Sequence, residues 1–353
     1  MPKKFRVAVL GAGAIGQHHI AGFQLSPYAE VVAVGESNLT RAEEAAQKFS
    51  VPDVHQDYRE ILARKDIQVV SIALPNYLHA RVAIEALKAG KHVMLDKPIA
   101  TNARDAAKII AAAKKARKVF MVGQNMRFSA EVHTIRKMVK KGALGSVHHA
   151  RAYWWRRAGI PRIGSWFTQK KFAGGGACYD IGVHLLDLVL YLLDDFQVAS
   201  VSGAVSGHIG RRHWGEGGWG KSEIDPRKIF DVDDRALALL KMKNGATIYL
   251  EVAWASFQEQ DDVHGIDLFG DKAGVHWPPA KIFMPAKDGF VVEQLKPITP
   301  PWPIERMVHF MECVALGKKP LVPPQESYKV QKVLDAIYRS SQTGREVRLA
   351  TNP

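Results

Sequence analysis

Phe5-Arg6-Val7-Ala8-Val9-Leu10-Gly11-Ala12-Gly13-Ala14-Ile15-Gly16 is an apolar run of strand length that ends on glycines spaced G-x-G-x-x-G, with a helical pattern starting at once. That context gives the glycine string its meaning. Glycine at 11 permits a tight turn, at 13 it lets backbone approach a pyrophosphate, and at 16 it lets helix and strand pack closely. The helix then opens with unpaired N–H groups around Ala14, Ile15 and Gly16, which face phosphates. Twenty residues beyond Gly16 stands Glu36, at the end of a second apolar run, where its carboxylate is placed to accept two ribose hydroxyls. A 2′-phosphate would be repelled there, so NAD is favoured over NADP, with Ser37 and Arg41 keeping NADP as the lesser alternative. The plain alternatives are a glycine turn without a ligand and a surface glutamate.

Working outward, apolar runs at Phe5–Leu10, Glu30–Val34, Val69–Leu74, His92–Leu95 and Val119–Val122 alternate with helical patterns at Ala42–Phe49, Leu78–Ala89 and Ala103–Lys115. This reads as an α/β Rossmann domain, a doubly wound parallel sheet, over residues 1–124. After 124 the pattern changes. A helix (Glu131–Lys140), an aromatic strand (Val147–Trp155) and an apolar helix (Asp180–Leu193) precede strand-like runs at Ala236–Met242, Thr247–Ala255, Ile266–Phe269 and Gly289–Val292. Two helices, Ile304–Leu316 and Glu326–Ser341, close the chain. Residues 125–353 therefore read as a substrate-binding and oligomerisation α+β domain, with a mainly antiparallel, open-faced sheet. Pairing that face with another copy would bury it, so a homodimer or homotetramer is expected. The segment Gly207–Gly220 reads as a loop carrying Trp214 and Trp219.

Composition narrows the partners. Of 353 residues, 47% are apolar and 24% charged, an ordinary globular balance. The net charge of +14 raises nucleic acid, membrane surface or an anionic substrate. Its cations are dispersed, however, and the densest run, Lys114–Lys118, closes an Ala-rich helix, where cations favour the dipole. Neither nucleic acid nor membrane is expected as a partner. Cys178 and Cys313 stand far apart, so neither a disulfide framework nor a thiolate metal site is read, and a reducing cytoplasm fits. The histidines are dispersed and no metal site is expected. Met1-Pro2-Lys3-Lys4 runs straight into the first strand, and no apolar stretch reaches the ~20 residues of a membrane span, so neither leader nor anchor is expected.

In Asp180–Leu193 the polar exceptions Asp180, His184, Asp187 and Tyr191 are spaced four, three and four apart, which puts them on one helical stripe. A buried polar stripe needs partners or a ligand. Asp180 and His184, one turn apart, can touch, and a carboxylate beside an imidazole orients it and raises its basicity. The alternative is a dipole-favoured Asp with a satisfied core histidine above it. Gly174-Gly175-Gly176 just before suggests a close approach of backbone to something. Lys97 follows a strand at its carboxyl end, where ligands of open α/β sheets bind, and there it is placed to stabilise an alkoxide. Otherwise it is a solvated loop lysine.

Taken together, these residues resemble the glucose–fructose oxidoreductase, inositol dehydrogenase and MocA family (Gfo/Idh/MocA) over nearly the whole chain. The resemblance rests on Gly11 to Gly16, Leu74-Pro75-Asn76-Tyr77-Leu78-His79, Ala89-Gly90-Lys91-His92-Val93 with Asp96-Lys97-Pro98, Asn125-Met126-Arg127-Phe128, and Gly174 through Asp180, His184 and Asp187. It implies that Lys97, Asp180 and His184 sit around a nicotinamide as catalytic and substrate-binding groups. It also implies that Pro75, Asn76 and His79 lie along the cofactor, and that Arg127 lines a cleft as a cofactor and substrate contact. Asp96 stands where the family usually has glutamate, which bears on how far its carboxylate reaches toward the cofactor. The implied activity is an NAD-dependent exchange of a secondary alcohol and a ketone on a sugar, sugar derivative or cyclitol. In that scheme His184 is the general base, Asp180 its orienter and Lys97 the oxyanion stabiliser. Of the aromatics Tyr153, Trp155, Trp166 and Trp254, Tyr153 and Trp166 are taken as substrate contacts. Arg156 and Arg157 suit a substrate carboxylate or phosphate, or solvent. The rival readings are redox-assisted glycoside cleavage with retained NAD, and a catalytically silent sugar or dinucleotide sensor.

Overall fold

The computed structural model describes residues 3–218, 222–299 and 305–350, which fall into two compact units. Trp219, Gly220 and Ile304 lie outside the described residues.

The first unit carries six strands, β1 (Phe5–Leu10), β2 (Ala29–Gly35), β3 (Asp53–His55), β4 (Val69–Ile72), β5 (His92–Leu95) and β6 (Phe120–Val122). They pair in parallel in the order β3-β2-β1-β4-β5-β6. That order belongs to two mononucleotide-binding halves meeting between β1 and β4. Between the strands run α1 (Ala14–Gln24), α2 (Leu39–Phe49), α3 (Tyr58–Ala63), α4 (Asn76–Lys88) and α5 (Ala103–Ala116). Strands covered on both faces need continuous apolar runs, and Val7–Leu10 and Val69–Ile72 are wholly buried. Asn38, Asp57 and Asn102 cap α2, α3 and α5 by accepting from backbone N–H groups of the first turn. The short pair β3 and α3 escaped the periodicity, because three and six residues are too few to carry it.

The two-segment division at residue 124 needs correction. The first unit also takes in the chain from Glu305 to Tyr328. The helix Arg306–Leu316 packs on α1, where Gly22 leaves room for the Met307 side chain and Phe23 meets Phe310 edge-on at 6.3 Å.

The second unit holds α6 (Ala130–Lys140), β7 (Val147–Arg156), α7 (Lys170–Ala173), α8 (Val183–Leu193), β8 (Val198–Ser206), β9 (Arg235–Met242) and β10 (Thr247–Ala253). It continues with β11 (Asp262–Gly270), β12 (Gly274–Trp277), β13 (Lys281–Ala286), β14 (Gly289–Gln294) and β15 (Val347–Arg348). The nine strands run β14-β13-β12-β11-β7-β10-β9-β8-β15, antiparallel except between β7 and β10. Alternation sorts the sheet's two faces. Ala150, Ala152, Ile248, Leu250, Val252, Ile266 and Leu268 are buried on the side that takes α8. The opposite side leaves Leu239, Phe269, Phe283 and Val292 exposed.

One sequence expectation fails here. Lys170–Leu193 is long and apolar enough to pass as a membrane span, yet 83% of its apolar window is buried inside the protein. It is the core element against which the second unit's sheet packs.

Candidate active site

In the first unit, Gly11 has φ +99°, and a Cβ there would fall 2.3 Å from the Ala73 carbonyl oxygen. At Gly16 a Cβ would sit 1.8 Å from the Gly11 carbonyl oxygen, so the first turn of α1 closes on the loop only with glycine. Among the described residues, a Cβ on Gly13 would meet nothing within 4 Å, and no side chain caps α1. A side chain at 13 would fill the space that the helix N-terminus faces, so glycine keeps that backbone open to a phosphate. Glu36 is tied into the same loop. Its Oε2 accepts from the Ala12 N–H at 3.0 Å, and its Oε1 accepts from the Asn38 N–H at 3.1 Å, with Arg41 at 3.5 Å. These contacts orient the carboxylate at the end of β2, where the ribose of a dinucleotide would be held, and the donor set fits NAD.

The ends of β4 and β5 are braced from below. His79 is 1% exposed, with Nδ1 2.7 Å from the Pro98 carbonyl oxygen and Nε2 2.8 Å from that of Leu74. Burial favours the neutral imidazole, which donates its one N–H to one of these carbonyls and only packs against the other. In place of the expected direct cofactor contact, the ring sits between the Pro75–Asn76 turn and the Lys97–Pro98 turn as a positioning group. Asp96, 8% exposed, accepts from Arg306 Nη1 at 3.1 Å, and the same nitrogen donates to the Gly123 carbonyl at 2.6 Å. Burial pushes the Asp96 carboxyl up, but the neighbouring cations, Arg306 first and Lys97 among them, outweigh it and leave the group below its usual range. The aspartate at this position is thus engaged by a helix from the far end of the chain, a partner no local motif reveals. Lys97 follows half-buried.

His19, fully buried, sits 2.8 Å from Ser71 Oγ through Nδ1, and burial followed by the charge of Arg306 pushes its pKa down to about 3. The unfolded chain takes up a proton near pH 6.5 that the folded chain refuses until about pH 3. Stability from this group is complete above pH 6.5 and falls as the pH drops toward 3, by up to a few kcal/mol, roughly. Chemical denaturation between pH 7 and pH 4 should show a slope that His19→Gln reduces, and equal slopes in the two proteins would contradict this origin.

In the second unit the helix carrying the polar stripe begins with a π-turn over Cys178–Gly182 before α8 proper. What packs around the helix, and not the turn, divides the stripe in two. Asp180 and His184 are half-exposed in an otherwise buried helix, whereas Asp187 and Tyr191 are buried. Asp187 takes two bonds from Arg127, from Nε at 2.7 Å and Nη2 at 2.5 Å, and the guanidinium lies over Tyr191 at 4.6 Å. The Arg127 side chain is fully buried in that pair, so its expected contact with cofactor and substrate is corrected to an internal ion pair. Asp180 Oδ2 accepts from the indole N–H of Trp254 at 2.9 Å, a buried donor 74 residues away.

The triple glycine also finds its cause inside the chain. A Cβ on Gly176 would lie 1.8 Å from the Asp233 carbonyl oxygen, and one on Gly175 would lie 2.1 Å from the Tyr338 hydroxyl. The buried Asp233 carboxylate accepts from the backbone N–H groups of Gly176 (2.8 Å) and Cys178 (3.0 Å) and from the Tyr338 hydroxyl. The close approach read from the glycines is to Asp233, which anchors the start of the helix bearing Asp180 and His184.

Strand alternation decides which aromatics share a face with His184. Trp154 does, with ring centroids 6.3 Å apart, as does His264, 5.1 Å from Trp154. Tyr153, expected as a substrate contact, points to the face opposite His184, where Arg151 lies over its ring at 4.5 Å. Trp166 stacks on Phe167 at 3.7 Å between β7 and α7. Arg156 pairs with Asp262 at 3.1 Å and Arg157 with Asp261 at 2.7 Å, so neither is an uncommitted anion site. Sequence reading missed Trp154, because three adjacent aromatics have no assignable faces until the register is known.

Comparison with known proteins agrees with both halves of this geometry. The family model GFO_IDH_MocA, described as an oxidoreductase family with an NAD-binding Rossmann fold, matches residues 5–124, and the family's C-terminal domain model matches residues 132–276. The chain is 31% identical over 350 residues to D-glucoside 3-dehydrogenase of Escherichia coli K12, covering 98% of this chain and 97% of the relative. It is also 31% identical over 261 residues to levoglucosan dehydrogenase of Pseudarthrobacter phenanthrenivorans, covering 69% and 66% of the two chains. Among solved structures, levoglucosan dehydrogenase in complex with NADH and levoglucosan matches with a TM-score of 0.85 at 25% identity, covering 98% and 99% of the two chains.

Proposed function

As the chain belongs to the GFO/IDH/MocA oxidoreductase family, we propose that it interconverts a secondary alcohol and a ketone on the ring of a sugar, sugar derivative or cyclitol, with NAD as its cofactor. The observation that carries this reading is His184, a half-exposed imidazole on a helix otherwise packed in apolar core, beside the ring of Trp154. When bound, NAD supplies the two-electron hydride acceptor. The chain's own residues manage the proton and the charge. His184 takes the hydroxyl proton as general base, Asp180, held by Trp254, stands one turn before it, and Lys97 steadies the alkoxide as it develops. Gly11, Gly13, Ala14, Ile15 and Gly16 cradle the pyrophosphate, Glu36 the adenosine ribose, and Pro75 and Asn76 flank the cofactor.

The relatives' names make glucosides and levoglucosan the first substrates to try. Reduced-nicotinamide absorbance, followed with NAD against a panel of glucosides, anhydrosugars and cyclitols, should rise with one class. Cleavage of a glycoside without net reduction would instead favour the redox-assisted hydrolysis reading.

Two copies are proposed to pair through the exposed sheet face bearing Leu239, Phe269, Phe283 and Val292. Sedimentation equilibrium at micromolar concentration should give a dimer or tetramer, and a monomer would contradict the pairing.

A further inference from the structure

Asp262 opens β11 directly opposite Arg156, the last residue of β7, and His264 stands opposite Trp154. All four side chains lie on the face that His184 shares. The Asp262 carboxylate accepts from Trp154 Nε1 at 2.9 Å and from Arg156 Nε at 3.1 Å, with His264 Nδ1 at 3.4 Å. The Arg156 guanidinium also lies over the Trp154 indole at 4.5 Å. Three donors thus fix a carboxylate that is still 46% exposed.

We propose that Asp262 is a specificity residue that accepts a hydrogen bond from a ring hydroxyl of the substrate, while the Trp154 indole offers its apolar face to the ring. The inference rests on the sugar-oxidising reading and names the class more closely: a neutral sugar or glycoside. An ionised carboxylate has about four acceptor positions and no donor, so beyond its three present donors it can take only a further donor, which a sugar hydroxyl is. A uronate carboxylate or sugar phosphate brings acceptors only, to which Asp262 has nothing to donate, and the Arg156 Nε–H is already given to Asp262. Trp154 links the carboxylate to the reacting group: its indole N–H holds Asp262, and its ring lies beside His184. A hydroxyl bound to Asp262 thereby places a neighbouring carbinol near the imidazole.

The test pairs Asp262→Asn with a set of monodeoxy sugars, using kcat/KM of the full-length protein with NAD. For sugars carrying the hydroxyl that is read, Asp262→Asn should lose about 10- to 100-fold, as expected for one charge-assisted hydrogen bond. One deoxy analogue should already be slow with the unchanged protein and lose nothing further in the variant. A uronate should be disfavoured less by Asp262→Asn than by the unchanged protein, and the KM for NAD should not move. Trp154→Phe, which keeps an apolar ring but removes the donor to Asp262, should raise the sugar KM more than it lowers kcat. An equal loss across every deoxy analogue, or no loss at all, would overturn the assignment of Asp262 alone. Failure of the unchanged protein to reduce NAD with any sugar would contradict the sugar-oxidising reading, and this inference with it.

Discussion

Replacing His184 by alanine should lower kcat for the sugar by roughly 10²- to 10⁴-fold, the usual contribution of a positioned general base, while NAD affinity stays within about threefold. The split follows from the placement of the two functions. The phosphate-binding loop, Glu36 and the braced ends of β4 and β5 all belong to the first unit, and His184 belongs to the second. His184→Ala with unchanged turnover would remove this residue from the mechanism, and equal losses in turnover and NAD affinity would point to a folding defect instead.

Arg127→Met should destabilise the protein by about 3–5 kcal/mol, because it leaves the Asp187 carboxylate buried without its partner. For a domain of this size that corresponds to a fall in Tm of roughly 6–20 °C. The double variant Arg127→Met with Asp187→Leu should recover most of the loss, since the cost lies in the orphaned charge more than in the missing attraction. The measurement also separates two roles for Arg127. If the single variant is as stable as the parent but binds NAD or sugar poorly, Arg127 contacts ligand as the family resemblance implies, and the internal ion pair is not its main function.

The first unit was legible because a parallel sheet covered on both faces must write its strands as unbroken apolar runs, and Phe5–Leu10 and Val69–Ile72 do so. Glu36 was legible because the βαβ unit fixes its distance from Gly16. What escaped depends on contacts between distant parts of the chain. The stripe drawn from helical spacing is divided by what packs against it, for Asp187, on the same regular helix as His184, is taken by Arg127, 60 residues away. Gly174-Gly175-Gly176 correctly signalled a close approach, but to Asp233 and Tyr338. Along Tyr153-Trp154-Trp155 a one-residue difference decides which ring faces His184, and only pairing with β10 and β11 settles it.

The account's central claim is most directly tested with a sugar deuterated at every ring carbon, incubated with NAD and the unmodified protein. The prediction is one reduced nicotinamide carrying one deuterium for each ketosugar formed, with the glycosidic bond intact. Ketosugar or cleaved glycoside appearing without deuterium on the recovered cofactor would contradict hydride transfer from the ring carbinol.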